Sequence, residues 1–256
     1  MNLSRHTGLR IAWPQRVSGS HGILLRRTYT SIGLCVSFLL FVTVVVFARD
    51  AYRPVIDPTN FTHIVNNPWF PLVPGSIATF IEKDGRERRE NKITVTHDTK
   101  TIMGVKCVVV HDTVTLNGVL MEDTFDWYAQ DKLGTVWYFG EATREFKPGG
   151  RVSTAGSWEA GVKGAQPGIV MPARPQVGER YRQEYAANEA EDIGRIAALD
   201  ETLTIPFGAF KECVRTREWS MLESGTSTKW YAKGVGLVRA TGTGGEVSTL
   251  VSLTRE

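Results

Sequence analysis

The chain is poor in cysteine, has no acidic residue near its amino end and has almost nothing that reads as an amphipathic helix. Each shortage narrows what it can be. Three cysteines in 256 residues cannot supply the disulfide framework of a small secreted scaffold. Residues 1–48 contain no Asp or Glu but carry five arginines (Arg5, Arg10, Arg16, Arg26 and Arg27), which leaves 25 basic against 27 acidic side chains in residues 49–256. A folded part so close to neutral lacks the basic footprint that neutralises phosphates, and this argues against nucleic acid as a partner. No nucleophile elbow, phosphate-binding loop, dinucleotide fingerprint or HExxH helix occurs, so no catalytic signature marks the chain as an enzyme. Glycine (25) and proline (11) are too few for a low-complexity chain, and 42% hydrophobic residues suffice for a core.

What is present starts with residues 31–48, SIGLCVSFLLFVTVVVFA, which carry no charge and stand between Arg26-Arg27 and Arg49-Asp50. A spanning helix needs about 20 apolar residues, whereas a signal peptide needs a shorter apolar region and a small-residue cleavage site. Val46-Phe47-Ala48 fits cleavage, and the length of the run fits an uncleaved membrane anchor; both readings stand. In either case the positive-inside bias keeps residues 1–30 as a basic cytoplasmic leader and translocates the chain after residue 49. The expected location is extracytoplasmic, periplasmic or at the cell surface, anchored or secreted. Arg26-Arg27 only faintly resembles a twin-arginine signal, and Leu34 before Cys35 is too large for a lipoprotein signal.

The remainder alternates apolar and polar residues with period two, over short runs at 77–81, 93–99, 105–116, 119–129 and 135–139. Asp84-Gly85, Met103-Gly104, Asn117-Gly118 and Leu133-Gly134 separate them, the punctuation of a β-meander. Asn-Gly is the strongest local hairpin signal, because both central residues of a type I′ turn need positive φ. The scheme recurs at 181–186, 199–205, 210–219, 226–233, 237–241 and 247–254, with residues 189–199 as the one stretch that could hold a helical turn. Trp127-Tyr128-Ala129 recurs 103 residues on as Trp230-Tyr231-Ala232, Gly75 recurs as Gly178 at the same offset, Leu133-Gly134 as Val235-Gly236 at 102, and Cys107 as Cys213 at 106. Several matches in order point to a duplicated unit. The expected fold is all-β: two tandem antiparallel meanders, 69–146 and 179–256, packed as a sandwich or a curved half-barrel and preceded by one apolar helix. Residues 49–68, with Pro54, Pro58 and Pro68, read as an extended linker, and the Gly/Pro-rich stretch 147–178 as a hairpin turn followed by a long surface loop.

The strings NPWFPLVPG, DWYAQDKLGTVWYFGE, PGIVMPARPQVG, FGAFKECV and KWYAKGVGLV resemble those of a family of exported bacterial β-rich proteins that has no established activity. The resemblance spans most of residues 66–240 and implies an extracytoplasmic, mostly β domain. It brings no catalytic residues with it.

Two groups of residues carry candidate chemistry. A two-residue Asn117-Gly118 hairpin continued without a break would place Asp112 opposite Asp123 in an apolar stripe. Opposed like charges there need a divalent metal, a shared proton or an arginine, and Arg88 or Arg89 on the preceding strand is available. The other face would then carry His111, Glu122 and Asp126, able to bind zinc or to act as acid and base, or simply solvated. The aromatics Trp127, Tyr128, Trp137 and Trp230 are the second group, a candidate lining for a lipid or other apolar ligand, or else ordinary core. Cys107 and Cys213 can form a disulfide if their strands meet, or remain buried thiols. Two functions follow: a non-enzymatic envelope protein that binds an apolar or amphipathic ligand or a protein partner without a cofactor, and a metal-dependent hydrolase built on Asp112 and Asp123.

Overall fold

The computed structural model describes residues 52–255; the leader and the apolar run 31–48, with its signal or anchor, lie outside them. Among the described residues no helix is long and apolar enough to cross a membrane. A 3-10 turn at Pro58–Asn60 precedes strands β1 (Phe61–Thr62), β2 (Val65–Asn67), β3 (Phe70–Leu72), β4 (Ile77–Asp84), β5 (Glu87–Ile102), β6 (Val105–Leu116), β7 (Val119–Asp131) and β8 (Val136–Lys147). They are followed by β9 (Arg151–Ser153), β10 (Trp158–Glu159), β11 (Gln166–Met171), β12 (Arg180–Arg182) and β13 (Glu184–Tyr185). The chain ends in β14 (Asp192–Ile205), β15 (Gly208–Ser220), β16 (Ser227–Ala232), β17 (Gly236–Gly242) and β18 (Val247–Thr254).

The long strands follow the alternating runs, and the turn chemistry holds: Asn117 (φ 52°) and Gly118 (φ 79°) take the two left-handed conformations of a type I′ turn. The architecture is neither a sandwich nor a half-barrel. One antiparallel sheet runs β12-β14-β15-β16-β17-β18-β4-β5-β6-β7-β8-β11-β13, so β18 joins the second half directly to the first. β12 and β13 are separated by Gln183 alone. The segment 180–185 therefore pairs with β14 at one end and β11 at the other, bringing the two edges of the sheet together into a nearly closed barrel. Two glycines permit that closure. A Cβ at Gly168 would overlap the backbone of Gln183, and one at Gly194 would overlap the Tyr181 ring.

Three segments depart from the sequence reading. The later part of 49–68 is not a linker: β1 pairs with β7, and β2 forms with β3 a separate two-stranded hairpin that places Phe70 beside Tyr128 (ring centroids 5.4 Å apart) and Tyr231 (6.2 Å). The glycine- and proline-rich stretch after the Lys147 turn forms β9, β10 and β11 along β8 and is no bare loop. Residues 192–205 are a strand and hold no helical turn. Fully buried Phe70, Tyr128, Tyr138 and Tyr231 form an apolar floor in the interior.

Replacing Gly168 or Gly194 by alanine forces backbone or ring to move, and overpacking of this kind costs about 1–3 kcal/mol. Gly208→Ala, where the added methyl meets only Phe210 at 3.7 Å, is the control. Urea unfolding of the three variants should show midpoints lowered for the first two and near wild type for the third.

Candidate functional site

The β6–β7 hairpin departs from simple alternation after its first two rungs. Leu116 pairs with Val119 and Thr115 with Leu120, but the next rung joins Val114 to Glu122, leaving Met121 as a bulge. Beyond it every β7 side chain lies on the face opposite to the one that an unbroken register assigns. Asp112 therefore pairs with Thr124 and points into the barrel, while Asp123 pairs with Thr113 and points outward. The expected Asp112–Asp123 pair does not exist. Two carboxylates on opposite faces of a sheet cannot chelate one ion, and His111 is likewise separated from Glu122 and Asp126. Among the described residues no group of three or more His, Cys, Asp or Glu side chains is arranged to hold a metal ion.

Outward, Asp123 is gripped from two sides. His111 Nε2 lies 2.6 Å from Asp123 Oδ1, Arg144 donates to Oδ2, and the His111 ring stacks on Phe125 at 4.4 Å. Partial burial by itself raises the pKa of this carboxyl, but the hydrogen bonds and charges of His111 and Arg144 outweigh it and hold the pKa below the ordinary value.

Inward, among the described residues, seven carboxyl groups are buried, those of Glu82, Asp112, Asp126, Glu141, Glu184, Asp192 and Glu218, against one buried ammonium, that of Lys229. Asp112 receives one hydrogen bond, from Asn91 Nδ2 at 2.7 Å to Oδ1, and its Oδ2 has no partner. Glu82, between Ser248 on β18 and Arg89 on β5, has both oxygens buried without a hydrogen bond. Tyr138 donates to Asp126 at 2.6 Å, and Trp158 to Glu184 at 2.9 Å. In the other half of the barrel Lys229 Nζ lies 2.8 Å from Glu218 Oε2, and Thr216 donates to Glu218 Oε1 at 2.7 Å. A small cleft, with a volume of about 10 Å³, is lined by Asp192, Glu218, Ser227 and the loop at 223–226.

Burial sets the electrostatics of this wall. Desolvation pushes Glu82 up to about 8, with Arg89 opposing and Glu122 adding to the rise. Desolvation also lifts Asp112 far above the carboxylate range, and the neighbouring charges of Asp126, Glu122 and Glu82 lift it further. Both carboxyl groups are thus poised to keep a proton or to meet a positive charge.

The four aromatics singled out from sequence do not converge on one surface. Tyr128 is in the floor, stacked on Tyr138 at 4.9 Å. Trp127 faces outward beneath Lys100, whose Nζ sits 3.3 Å from the ring centroid and ion-pairs with Glu159. Trp137 donates to Asp131 and Trp230 to Glu201, each on the outer surface. Alternation along the strand separates Trp127 from Tyr128, and the polar partners of the three tryptophans hold them flat on the outer wall. Cys107 and Cys213 are buried free thiols on strands that are not neighbours, with burial pushing the Cys107 thiol up to about 12.

Compared with family models, curated proteins and solved structures, the chain gives no match.

Sequence reasoning missed Glu82 and Glu141. Parity marks Glu82, which shares its inward face with Phe80 two residues before it, but not Glu141, which reaches the face of Tyr138 only because the register shifts at Phe139.

Asp123 and Glu82 should respond to substitution in opposite directions. Asp123→Asn should cost about 1 kcal/mol at pH 7, where exposed Arg144 limits the gain, and the difference should vanish as the pH falls through the depressed pKa and the carboxylate is protonated in both states. Glu82 has the reverse sign. Its contribution is complete below about pH 4.5, where folded and unfolded chains both carry the proton, and is lost as the pH rises to about 8. Glu82→Gln should therefore gain stability over wild type, on the order of a few kcal/mol at pH 8.5, but not at pH 4. Denaturant titrations at three pH values check both signs.

Proposed function

We propose that the protein is a non-enzymatic binding barrel of the cell envelope, exposed on the extracytoplasmic side and anchored or released through residues 31–48, with two copies of a meander forming one wall. Its ligand is amphipathic: a polar, cationic end meets the acidic part of the interior, and an apolar body lies toward the aromatic floor. The observation that carries this reading is the pair of buried carboxyl groups Glu82 and Asp112, of whose four oxygens only Asp112 Oδ1 accepts a hydrogen bond, in an interior that also buries Phe70, Tyr128 and Tyr231. Folding leaves such groups at a cost, and a structural role would have matched each one with a donor. The extracytoplasmic location is supported by the arginine-rich leader before the apolar run and by the resemblance to exported bacterial proteins. The hydrolase built on Asp112 and Asp123 loses its support, because the bulge at Met121 sends the two side chains to opposite faces.

Native mass spectrometry of the protein purified from its own host under gentle conditions should show a co-purifying mass in excess of the bare chain. The released compound should bind again, quench or shift the fluorescence of the tryptophans, and compete with a cationic fluorescent amphiphile but not with an anionic one of equal chain length. An unliganded chain that binds neither amphiphile would refute the reading.

A further inference from the structure

Several outward charges on the barrel wall are matched in pairs: Asp123 with Arg144, Lys100 with Glu159 and Glu201 with Arg215. Beside the closing seam they are not. Arg180 on β12 pairs in register with Arg195 on β14, and Arg195 with Arg217 on β15. The strand neighbours Tyr181, Gly194, Ile196, Thr216 and Glu218 are buried, whereas the three arginines are exposed, so all three project from the outer face. Neighbouring strands lie about 4.8 Å apart, which makes one row of guanidinium groups roughly 10 Å long. Directly opposed like charges destabilise a sheet, and among the described residues no carboxylate ion-pairs with any of the three. The next outward rung carries Arg182, Ile193 and Trp219, and the Arg180 guanidinium lies 5.0 Å from the Trp219 ring centroid. With seven carboxyl groups turned inward against one ammonium, the outside is more basic than the near-neutral composition implies.

The amino-terminal end of the described chain lies against this region. Tyr52 Oη donates to the Pro167 carbonyl at 3.0 Å, and the Tyr52 ring meets that of Tyr185 edge-on at 6.1 Å. Arg182 lies over both rings, 5.7 Å from Tyr52 and 4.8 Å from Tyr185. Tyr52 is thus held at the seam, four residues after Ala48, the last of the apolar run, and four residues of extended chain reach at most about 14 Å. We propose that the outer face of β12, β14 and β15, with Arg180, Arg195 and Arg217 as its contacts, docks on the surface of a bilayer that contains anionic phospholipid. The proposal rests on the anchored form of the reading given above and adds which face the barrel turns to the membrane. Guanidinium groups take phosphate oxygens in bidentate pairs, and a row with the spacing of neighbouring strands meets several headgroups at once. Trp219 beside Arg180 adds a ring of the kind favoured at membrane interfaces. Headgroup phosphates supply the negative charge that the row lacks, and the short tether keeps their effective concentration at the row high.

The test compares the full chain in nanodiscs of neutral phosphatidylcholine and in nanodiscs rich in phosphatidylglycerol. Arginines are labelled with a neutral dicarbonyl reagent, and the extent at each position is read by peptide mass spectrometry. Labelling of Arg180, Arg195 and Arg217 should fall by roughly tenfold in the anionic discs. Arg88, exposed on β5 and five strands beyond β15 in the sheet order, should label equally in both. High salt should restore labelling of the row, because screening weakens contacts between exposed charges. Arg195→Gln combined with Arg217→Gln should return Arg180 to full labelling in the anionic discs, and this variant should melt no lower than wild type because it removes repulsion along the row. Equal labelling in the two discs, protection that extends to Arg88, or protection of Arg180 that survives the double substitution overturns the proposal. Protection of the row by inorganic phosphate in neutral discs overturns it too, since the row is then a site for a free anion. If the purified chain proves to be cleaved after Ala48, the anchored reading fails, and flotation of the released chain with vesicles of the two lipids decides the docking: capture by anionic vesicles alone supports it, and any other result overturns it.

Discussion

Closure of the sheet by residues 180–185 is the constraint on which the rest depends. An open sheet wets at least one face, and a carboxylate on that face is an ordinary surface group. Once Arg180–Arg182 pairs with β14 and Glu184–Tyr185 with β11, water is excluded from the concave face, and every inward acid is exposed to a low dielectric. The perturbed carboxyls at Glu82 and Asp112, the buried Lys229–Glu218 pair and the stacked tyrosines are all consequences of that ring. Closure also removes the exposed strand edges through which a long antiparallel sheet would pair with its neighbours.

Strand positions were legible because period-two alternation and Gly-containing turns are local signals, and β4 to β8 and β14 to β18 fall where those signals put them. The barrel was not legible, because it depends on a six-residue segment pairing at both ends with strands far apart in sequence, and on Gly168 and Gly194 being small where backbones approach. The linker reading of 49–68 misled for a related reason: prolines that look like linker punctuation also stand beside short strands, and Pro68 lies in the turn between β2 and β3. The aromatic residues were identified as important without their placement, since neighbours along a strand face opposite ways and only the closed sheet decides which way is in.

The distribution of charge inside the barrel is unbalanced in a way that stability alone does not favour. A buried ion pair such as Lys229–Glu218 offsets its own desolvation through short contacts and the hydroxyl of Thr216. The first hairpin has two acids at the corresponding rungs, with Asn91 donating to Asp112 and Tyr138 to Asp126. Replacing such groups by apolar residues of similar volume is usually neutral or stabilising, so a fold maintained for rigidity would gain from losing them. An acid at 126 in place of a lysine adds to the electrostatic cost of burying Asp112, which protonation of that carboxyl relieves.

A single inserted residue separates the two chemistries that this hairpin carries. Without the bulge at Met121, Asp112 and Asp123 would share a face and Asp126 would point outward with His111. With it, Asp123 reaches His111 and Arg144 on the wet side and stays ionised, while Asp112 and Asp126 enter the dry side with Tyr138 and Asn91. Residues of the same type, eleven positions apart, are driven to opposite pKa shifts by which side of the sheet they occupy. Bulges are found where a sheet must re-aim particular side chains, and this one turns the acids of β7 inward at the level where the second hairpin presents Lys229. Which side chains meet in the interior is thus set by backbone register before any side chain is chosen, and the identity at position 126, acid here and lysine in its counterpart at 229, decides whether that rung pairs opposite charges or brings two acids together.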